Sequence, residues 1–232
     1  MTASSLPPAI EDTASGLIYR ALPRDNTQAA EVLLLLLHGV GGNELNLAGL
    51  QPLLDERVQL VLLRAPLVFG PQQYGWFQVS FGPDGPRIDA QQAESSRRQL
   101  LQLCTSLQQQ YGINAAHTVL AGFSQGGIMS AGVALTAPDS VAGFSLLSGR
   151  ILPEIAPIIG EKSALSQLTA FIGHGELDDK LPIAWAERAD AWLTELGVPH
   201  QLQRYAHGHQ LGAEMAQDFA AWLAAGSWFS AG

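Results

Sequence analysis

The sequence predicts an α/β protein with a mostly parallel central sheet and helices on both faces. Short apolar runs without polar alternation recur along the chain, clearest in Val32-Leu33-Leu34-Leu35-Leu36-Leu37, as strands buried on both faces do. Stretches of helical character alternate with them, so successive strands need crossovers and run parallel. The runs end in turns built from glycine, serine and histidine. A chain of 232 residues, 47% hydrophobic and 14% charged, suits one large globular unit. Residues 16–232 read as a single domain without repeats or a large separate cap, and 1–15, polar and carrying Pro7 and Pro8, as a loose tail.

Each element follows in order. Residues 16–22 suit an edge strand closed by Pro23, and 24–30 a turn and linker. Residues 32–37, ended by His38-Gly39, suit a central strand. A short helix is expected at 43–50 and an apolar strand at 58–63. From 67 to 87 the pattern breaks: Pro71, Pro83, Pro86 and four glycines are mixed with Phe69, Tyr74, Trp76, Phe77 and Phe81. A loop so aromatic either passes over a site, with Trp76 and Phe77 lining an acyl pocket, or anchors itself through a satellite cluster. Residues 89–111 read as a helix capped by Asp89 and stopped by Gly112, with Glu94 and Arg98 at pair spacing and Arg97-Arg98 on a solvated face. Strands follow at 118–121, 142–147, 168–172 and 200–205, a loop at 151–166, and helices after 124, at 182–196 and at 211–225.

Chemistry concentrates first at Val119-Leu120-Ala121-Gly122-Phe123-Ser124-Gln125-Gly126-Gly127. A buried strand, a Gly-x-Ser-x-Gly corner and a helix start force the serine out above the sheet edge. Gly122 and Gly126 leave room for that corner. The N–H of Gln125 then lies at a helix N-terminus, where it can stabilise an oxyanion. An ordinary glycine-rich turn between strand and helix would carry the same letters. The loop His38-Gly39-Val40-Gly41-Gly42 ends a central strand, at the edge where open α/β sheets bind ligands, and offers the N–H of Val40 as a second donor. It lacks the spacing of a phosphate or dinucleotide loop. His38 reads as a structural hydrogen-bonding residue.

A serine nucleophile needs a base, and the base needs a carboxylate. Asp178 follows one later strand and His209 the last, giving the chain order Ser, Asp, His of α/β-hydrolases. Asp179 and Glu176 compete for the acid, and His207 for the base. His207-Gly208-His209 also raises a metal site, but no third ligand fits, and none is assigned. His174 is expected to be structural.

These stretches resemble a known family. Leu37-His38-Gly39-Val40-Gly41-Gly42, Gly122-Phe123-Ser124-Gln125-Gly126-Gly127, Gly173-His174-Gly175-Glu176-Leu177-Asp178-Asp179-Lys180-Leu181-Pro182 and Gly208-His209 are similar to the phospholipase/carboxylesterase family of α/β-hydrolases, with its bacterial carboxylesterases and acyl-protein thioesterases. The resemblance covers about residues 16–225. It implies Ser124 as nucleophile, Asp178 as orienting acid, His209 as base, backbone oxyanion donors at Val40 and Gln125, and no cofactor. It puts Trp76 and Phe77 at the family's Trp-Phe position, and Leu181 at its valine position, beside the substrate. Gln78 replaces the usual aspartate, and 70–75 lacks the methionine-rich lead-in of eukaryotic thioesterases, which favours a small carboxylesterase of prokaryotic type.

The expected activity is hydrolysis of carboxylic esters with short to medium acyl groups through an acyl-enzyme. Rivals are a thioesterase or lysophospholipase, a binder of acyl ligands without turnover, and a dienelactone-type hydrolase, against which Ser124 argues because that group commonly uses cysteine. The partner is a small-molecule ester. A formal net charge of −9 argues against nucleic acid. The single cysteine, Cys104, lies at helical spacing from Leu100, Leu103 and Leu107, so it reads as core and suits a reducing compartment. Without a signal-peptide pattern or a run long enough for a membrane span, the expectation is a cytoplasmic protein. Trp228-Phe229 covers either the core or a subunit contact, so a homodimer stays open.

Overall fold

The computed structural model describes residues 7–24, 29–82 and 85–229. In chain order the elements are β1 (Ile10–Glu11), β2 (Ile18–Ala21), β3 (Val32–Leu37), a 3-10 helix (Glu44–Leu53), β4 (Val58–Arg64), β5 (Leu67–Gly70), β6 (Gln73–Gly75), β7 (Val79–Gly82), β8 (Gly85–Ile88) and α1 (Ala90–Tyr111). There follow β9 (Thr118–Phe123), α2 (Gln125–Thr136), β10 (Gly143–Leu147), α3 (Lys162–Leu165), β11 (Thr169–Gly175), α4 (Ala184–Leu196), β12 (His200–Tyr205) and α5 (Ala213–Ala224).

Among the described residues the main sheet has eight strands, in the order β1-β2-β4-β3-β9-β10-β11-β12. From β4 to β12 every pairing is parallel; only β1 on β2 and β2 on β4 are antiparallel. The unbroken apolar run of β3 has a simple cause. Leu33, Leu35 and Leu37 face a core built with α1, α2 and α4, whereas Val32, Leu34 and Leu36 face one built with α5 and the 3-10 helix. Chain order reverses between β3 and β9: the chain leaves β3 for β4 on one side, then crosses back to β9 on the other. Loops at that switch point diverge and leave a crevice.

Helix α1 has the predicted ends. Asp89 accepts from the N–H groups of Gln91 and Gln92, both at 3.0 Å, and Gly112 takes a left-handed conformation. Cys104 is fully buried, and burial pushes its thiol up to about 12, so it stays protonated and inert.

Four expectations need correction. Residues 67–87 are not an irregular loop but two hairpins, β5–β6 and β7–β8. Their strands are three or four residues long and the first pair carries a bulge, too little periodicity to read against the Gly and Pro punctuation. The strand expected at the sheet edge is second from it. The tail supplies the edge strand β1, and Asp12 accepts from the backbone and hydroxyl of Ser15 in the turn between them. The loop 151–166 contains a 3-10 turn (Pro153–Ile158) and α3. Arg97 is not a solvated residue: it bonds Glu94 and reaches Thr136 Oγ1 at 2.9 Å, tying α1 to α2. Residues 1–6 of the expected tail, 25–28 of the linker, Pro83 and the side chain of Phe81 lie outside what is described. Trp228 is buried edge-on against Trp222, with its indole N–H on the Leu223 carbonyl, so this half of the pair covers the core.

Candidate active site

Ser124 joins β9 to α2 at φ 54° and ψ −117°, a strained backbone for a non-glycine residue. Its neighbours explain how the strain is held. A Cβ on Gly126 would sit 1.9 Å from the Leu37 carbonyl oxygen, and one on Gly122 would sit 2.2 Å from the Gly126 carbonyl carbon. Only glycine lets β3, β9 and the start of α2 approach this closely. The Ser124 N–H donates to Leu147 O at 2.8 Å, locking the corner to β10.

The imidazole of His209, in the turn after β12, brings Nε2 to 3.0 Å from Ser124 Oγ. Its Nδ1 lies 2.7 Å from Asp178 Oδ2, in the turn after β11. Asp178 is buried, and its Oδ1 accepts the N–H groups of Lys180 at 2.9 Å and Leu181 at 2.8 Å. Both carboxylate oxygens are therefore committed. The competing acids stand elsewhere: Glu176 is exposed, and Asp179 is exposed and pairs with Lys180. His207 stacks on Tyr205 and bonds the Gly208 carbonyl. His174 is buried, bonds the Leu181 carbonyl at 2.7 Å and lies 3.5 Å from Asp178 Oδ2; burial pushes its pKa down. Among the described residues no three His, Cys, Asp or Glu side chains gather as a metal would require.

The loop after β3 lies against the serine. A Cβ on Gly39 would meet Ser124 Cβ at 3.2 Å. The Gly41 N–H is spent on Tyr74 O at 2.8 Å, and that of Gly42 on Gly39 O at 3.1 Å. Among the described residues the Val40 N–H has no acceptor. The N–H of Gln125 belongs to the first residue of α2 and has no intrahelical acceptor either. His38 fixes the loop rather than reacting. Its Nδ1–H donates to Gly39 O at 2.7 Å and its Nε2 accepts the Ala65 N–H at 3.1 Å. Burial lowers its pKa, which suits that neutral tautomer.

Beside Ser124 opens a cavity of about 310 Å³. Phe77 and Leu181, expected beside the substrate, line it together with Val40 and His209. Trp76 does not. It is fully buried, donates its indole N–H to His38 O at 2.9 Å, and has its own carbonyl held by Ser96 Oγ at 2.6 Å. Gln125 does more than carry an amide: its side chain accepts from the Trp76 N–H at 3.0 Å and donates to Phe77 O at 2.8 Å, pinning the aromatic hairpin to the elbow. Sequence reasoning missed Phe123, Ile88, Ile128, Arg150 and Lys180 in the lining. For Arg150 a signal existed: a lone cation directly after an apolar strand, on the sheet edge that bears Ser124.

The fold is that of a class, the α/β-hydrolases. The chain belongs to the phospholipase/carboxylesterase family, whose model matches residues 24–226. It is 29% identical to acyl-protein thioesterase 1 of Emericella nidulans over 62% of this chain and 66% of that protein, just under two thirds of its length. It is 26% identical to the putative hydrolase MhqD of Bacillus subtilis over 82% of this chain and 91% of the relative. Among solved structures, esterase PE8 superposes with a TM-score of 0.79 at 28% identity, covering 90% of this chain and 98% of its own. A carboxylesterase from Mesorhizobium loti gives 0.78 at 20% identity over 94% and 99%, a likeness of fold. Among the described residues no helix is long and apolar enough to cross a membrane.

Proposed function

We propose that this protein is a serine carboxylesterase in which Ser124, His209 and Asp178 act as one catalytic unit. The observation that carries this reading is the unbroken chain Ser124 Oγ–His209 Nε2 and His209 Nδ1–Asp178 Oδ2, at 3.0 and 2.7 Å. Ser124 Oγ attacks the ester carbonyl and its proton passes to Nε2. Asp178 holds the Nδ1–H and stabilises the imidazolium. The oxyanion rests on the N–H groups of Val40 and Gln125. As the tetrahedral species collapses, Nε2–H protonates the departing alcohol. His209 then takes a proton from water, which attacks the acyl-enzyme and releases the acid. No cofactor enters any step.

A cavity of about 310 Å³ is at the small end for ligand sites, which supports short to medium acyl groups. Phe77 and Leu181 form its apolar wall. A thioester reading is favoured by the relative named as a thioesterase, and paired oxygen and sulfur esters of one acyl group separate the two. The proposal treats the chain from β1 onward as one catalytic domain and the enzyme as cytoplasmic, which its lone free cysteine suits.

The test is labelling with a fluorophosphonate followed by peptide mapping. The expected mass sits on Ser124 alone, and Ser124→Ala abolishes both label and ester turnover. A folded Ser124→Ala protein with the parent's rate would overturn the assignment, and a folded parent that takes no label would favour a binder of acyl ligands.

A further inference from the structure

The cavity beside Ser124 holds one group that the reaction does not use. Arg150 follows β10 on the same sheet edge as Ser124 and lines the cavity. The residue is only 7% exposed. Its guanidinium lies 4.5 Å from the centre of the Trp185 ring, and among the described residues it makes no hydrogen bond and no ion pair. Glu154 acts on it only at a distance, without an ion pair. A guanidinium in so enclosed a setting normally has a carboxylate or several carbonyls around it, and that of Arg150 has neither; its nitrogens keep access to the solvent of the cavity. Contact with the Trp185 face attracts the cation but accepts none of its hydrogen bonds in the plane of the guanidinium. The N–H donors of Arg150 have no protein acceptor among the described residues, and the residue lines the cavity.

The rest of the lining points the same way. Lys180 is a second cation at the rim, 62% exposed and loosely paired with Asp179 at 3.3 Å. Among the described residues no carboxylate lines the cavity, although the chain carries a formal net charge of −9. The nearest acid of the site, Asp178, has both oxygens committed. The remaining wall is largely apolar: Phe77, Val79, Ile88, Phe123, Ile128 and Leu181. A cation fixed at an apolar wall, with the nucleophile in the same small cavity, fits a substrate with a reacting carbonyl, a short chain and a terminal anion.

We infer that the substrate is an ester bearing a free carboxylate, a monoester of a small dicarboxylic acid, with Arg150 as the residue that recognises the carboxylate. This rests on the esterase reading above and narrows it. The planar guanidinium matches a carboxylate with two parallel hydrogen bonds, and the desolvated wall strengthens them.

The experiment compares the 4-nitrophenyl monoester of adipic acid with 4-nitrophenyl hexanoate, which has the same chain length and no charge. The parent protein is expected to favour the monoester by about tenfold in kcat/KM, chiefly through KM, with a preference that shrinks as salt rises. In Arg150→Gln the ratio of the two kcat/KM values falls by about tenfold, and Arg150→Lys retains part of it. Circular dichroism checks that each variant is folded; should Arg150→Gln not fold, Arg150→Lys alone still decides, since it keeps the charge and loses the fork. A parent that disfavours the monoester, or a folded Arg150→Gln with an unchanged ratio, overturns the inference. Hydrolysis of the hexanoate with Ser124 labelling but no preference sinks this proposal alone and leaves the esterase reading intact. If neither ester is turned over, calorimetric titration with adipate decides separately: binding lost in Arg150→Gln supports the site, and no binding by the parent overturns it.

Discussion

The two halves of the candidate site are held by different forces. Around Ser124 the restraint is steric. Helix α2 is buried from Gln125 to Leu135, and its first turn touches the backbone of β3 and β9 so closely that a single Cβ would collide. Around Asp178 and His209 the restraint is directional. Glu176, Leu177, Asp179 and Lys180 are exposed, and the turns are laced by hydrogen bonds: Glu176 N–H to Tyr205 O at 2.8 Å, and Leu177 N–H to His207 O at 3.0 Å. Packing gives Ser124 one position and tolerates no added atom. Hydrogen bonding gives Asp178 and His209 one orientation and tolerates surface change, provided each donor keeps its acceptor.

Asp178→Asn tests the directional half and should show the largest effect. An amide cannot hold the Nδ1–H tautomer and stabilise the imidazolium, so kcat should fall by about three to four orders of magnitude with the fold retained. Asp179→Asn, on an exposed carboxylate, should change little. If Asp179→Asn were the damaging one in a steady-state assay, the acid would be misassigned. Gly126→Ala tests the packed half. The new Cβ would meet the Leu37 carbonyl, and neither backbone can give way without opening the sheet. Thermal melts should show a loss of about 3 kcal/mol or more, the upper range for overpacking, with activity falling alongside. A stable, active Gly126→Ala protein would mean that the elbow is softer than its contacts imply.

The same division decides what the sequence disclosed. Steric features leave composition: an unbroken apolar run marks β3, and glycines two residues either side of Ser124 mark the elbow, so both are legible in one chain. The directional half was legible only in part. Asp178 stands beside Asp179 in the sequence, and nothing local says which carboxylate turns inward; the turn that gives Asp178 two backbone donors does. Trp76 shows the limit from the other side. An indole reads as pocket lining until its N–H is seen to be bound to the His38 carbonyl, 38 residues away in sequence. Arg150 carried a signal in its place after β10, but its lack of a protein partner shows only in three dimensions. The hairpins at 67–88 escaped because ladders of three or four residue pairs carry no usable period.

The flank of the loop after β3 mixes both kinds of restraint and gives the smallest expected effect. Glu44 is buried at the start of the 3-10 helix, with Oε1 bonded to Arg20 at 2.8 Å and to Arg64 at 2.6 Å, and Oε2 to Arg64 at 2.8 Å. Burial alone would raise its pKa. The hydrogen bonds from Arg64 and Arg20 outweigh burial and hold it at about 2, against an ordinary 4.5. A carboxylate depressed in the folded state adds stability that is complete above pH 4.5 and lost as pH falls toward 2. Glu94, held at about 2 first by its hydrogen bond from Arg97, titrates in the same window. His38 and His174, pushed below 6.5 by burial, act earlier: the unfolded chain takes up their protons first, so stability begins to fall below pH 6.5. Acid unfolding should therefore run in two stages. Glu44→Gln should cost about 2 kcal/mol at neutral pH, under the usual figure for a broken buried pair because Arg20 and Arg64 are 19% and 16% exposed. It should leave the first stage intact and flatten the second. Melting temperatures of parent and variant across pH 7 to 2 measure both. A variant that kept the parent's full slope between pH 4.5 and 2 would show that the charge of Glu44 does not carry this acid-sensitive stability.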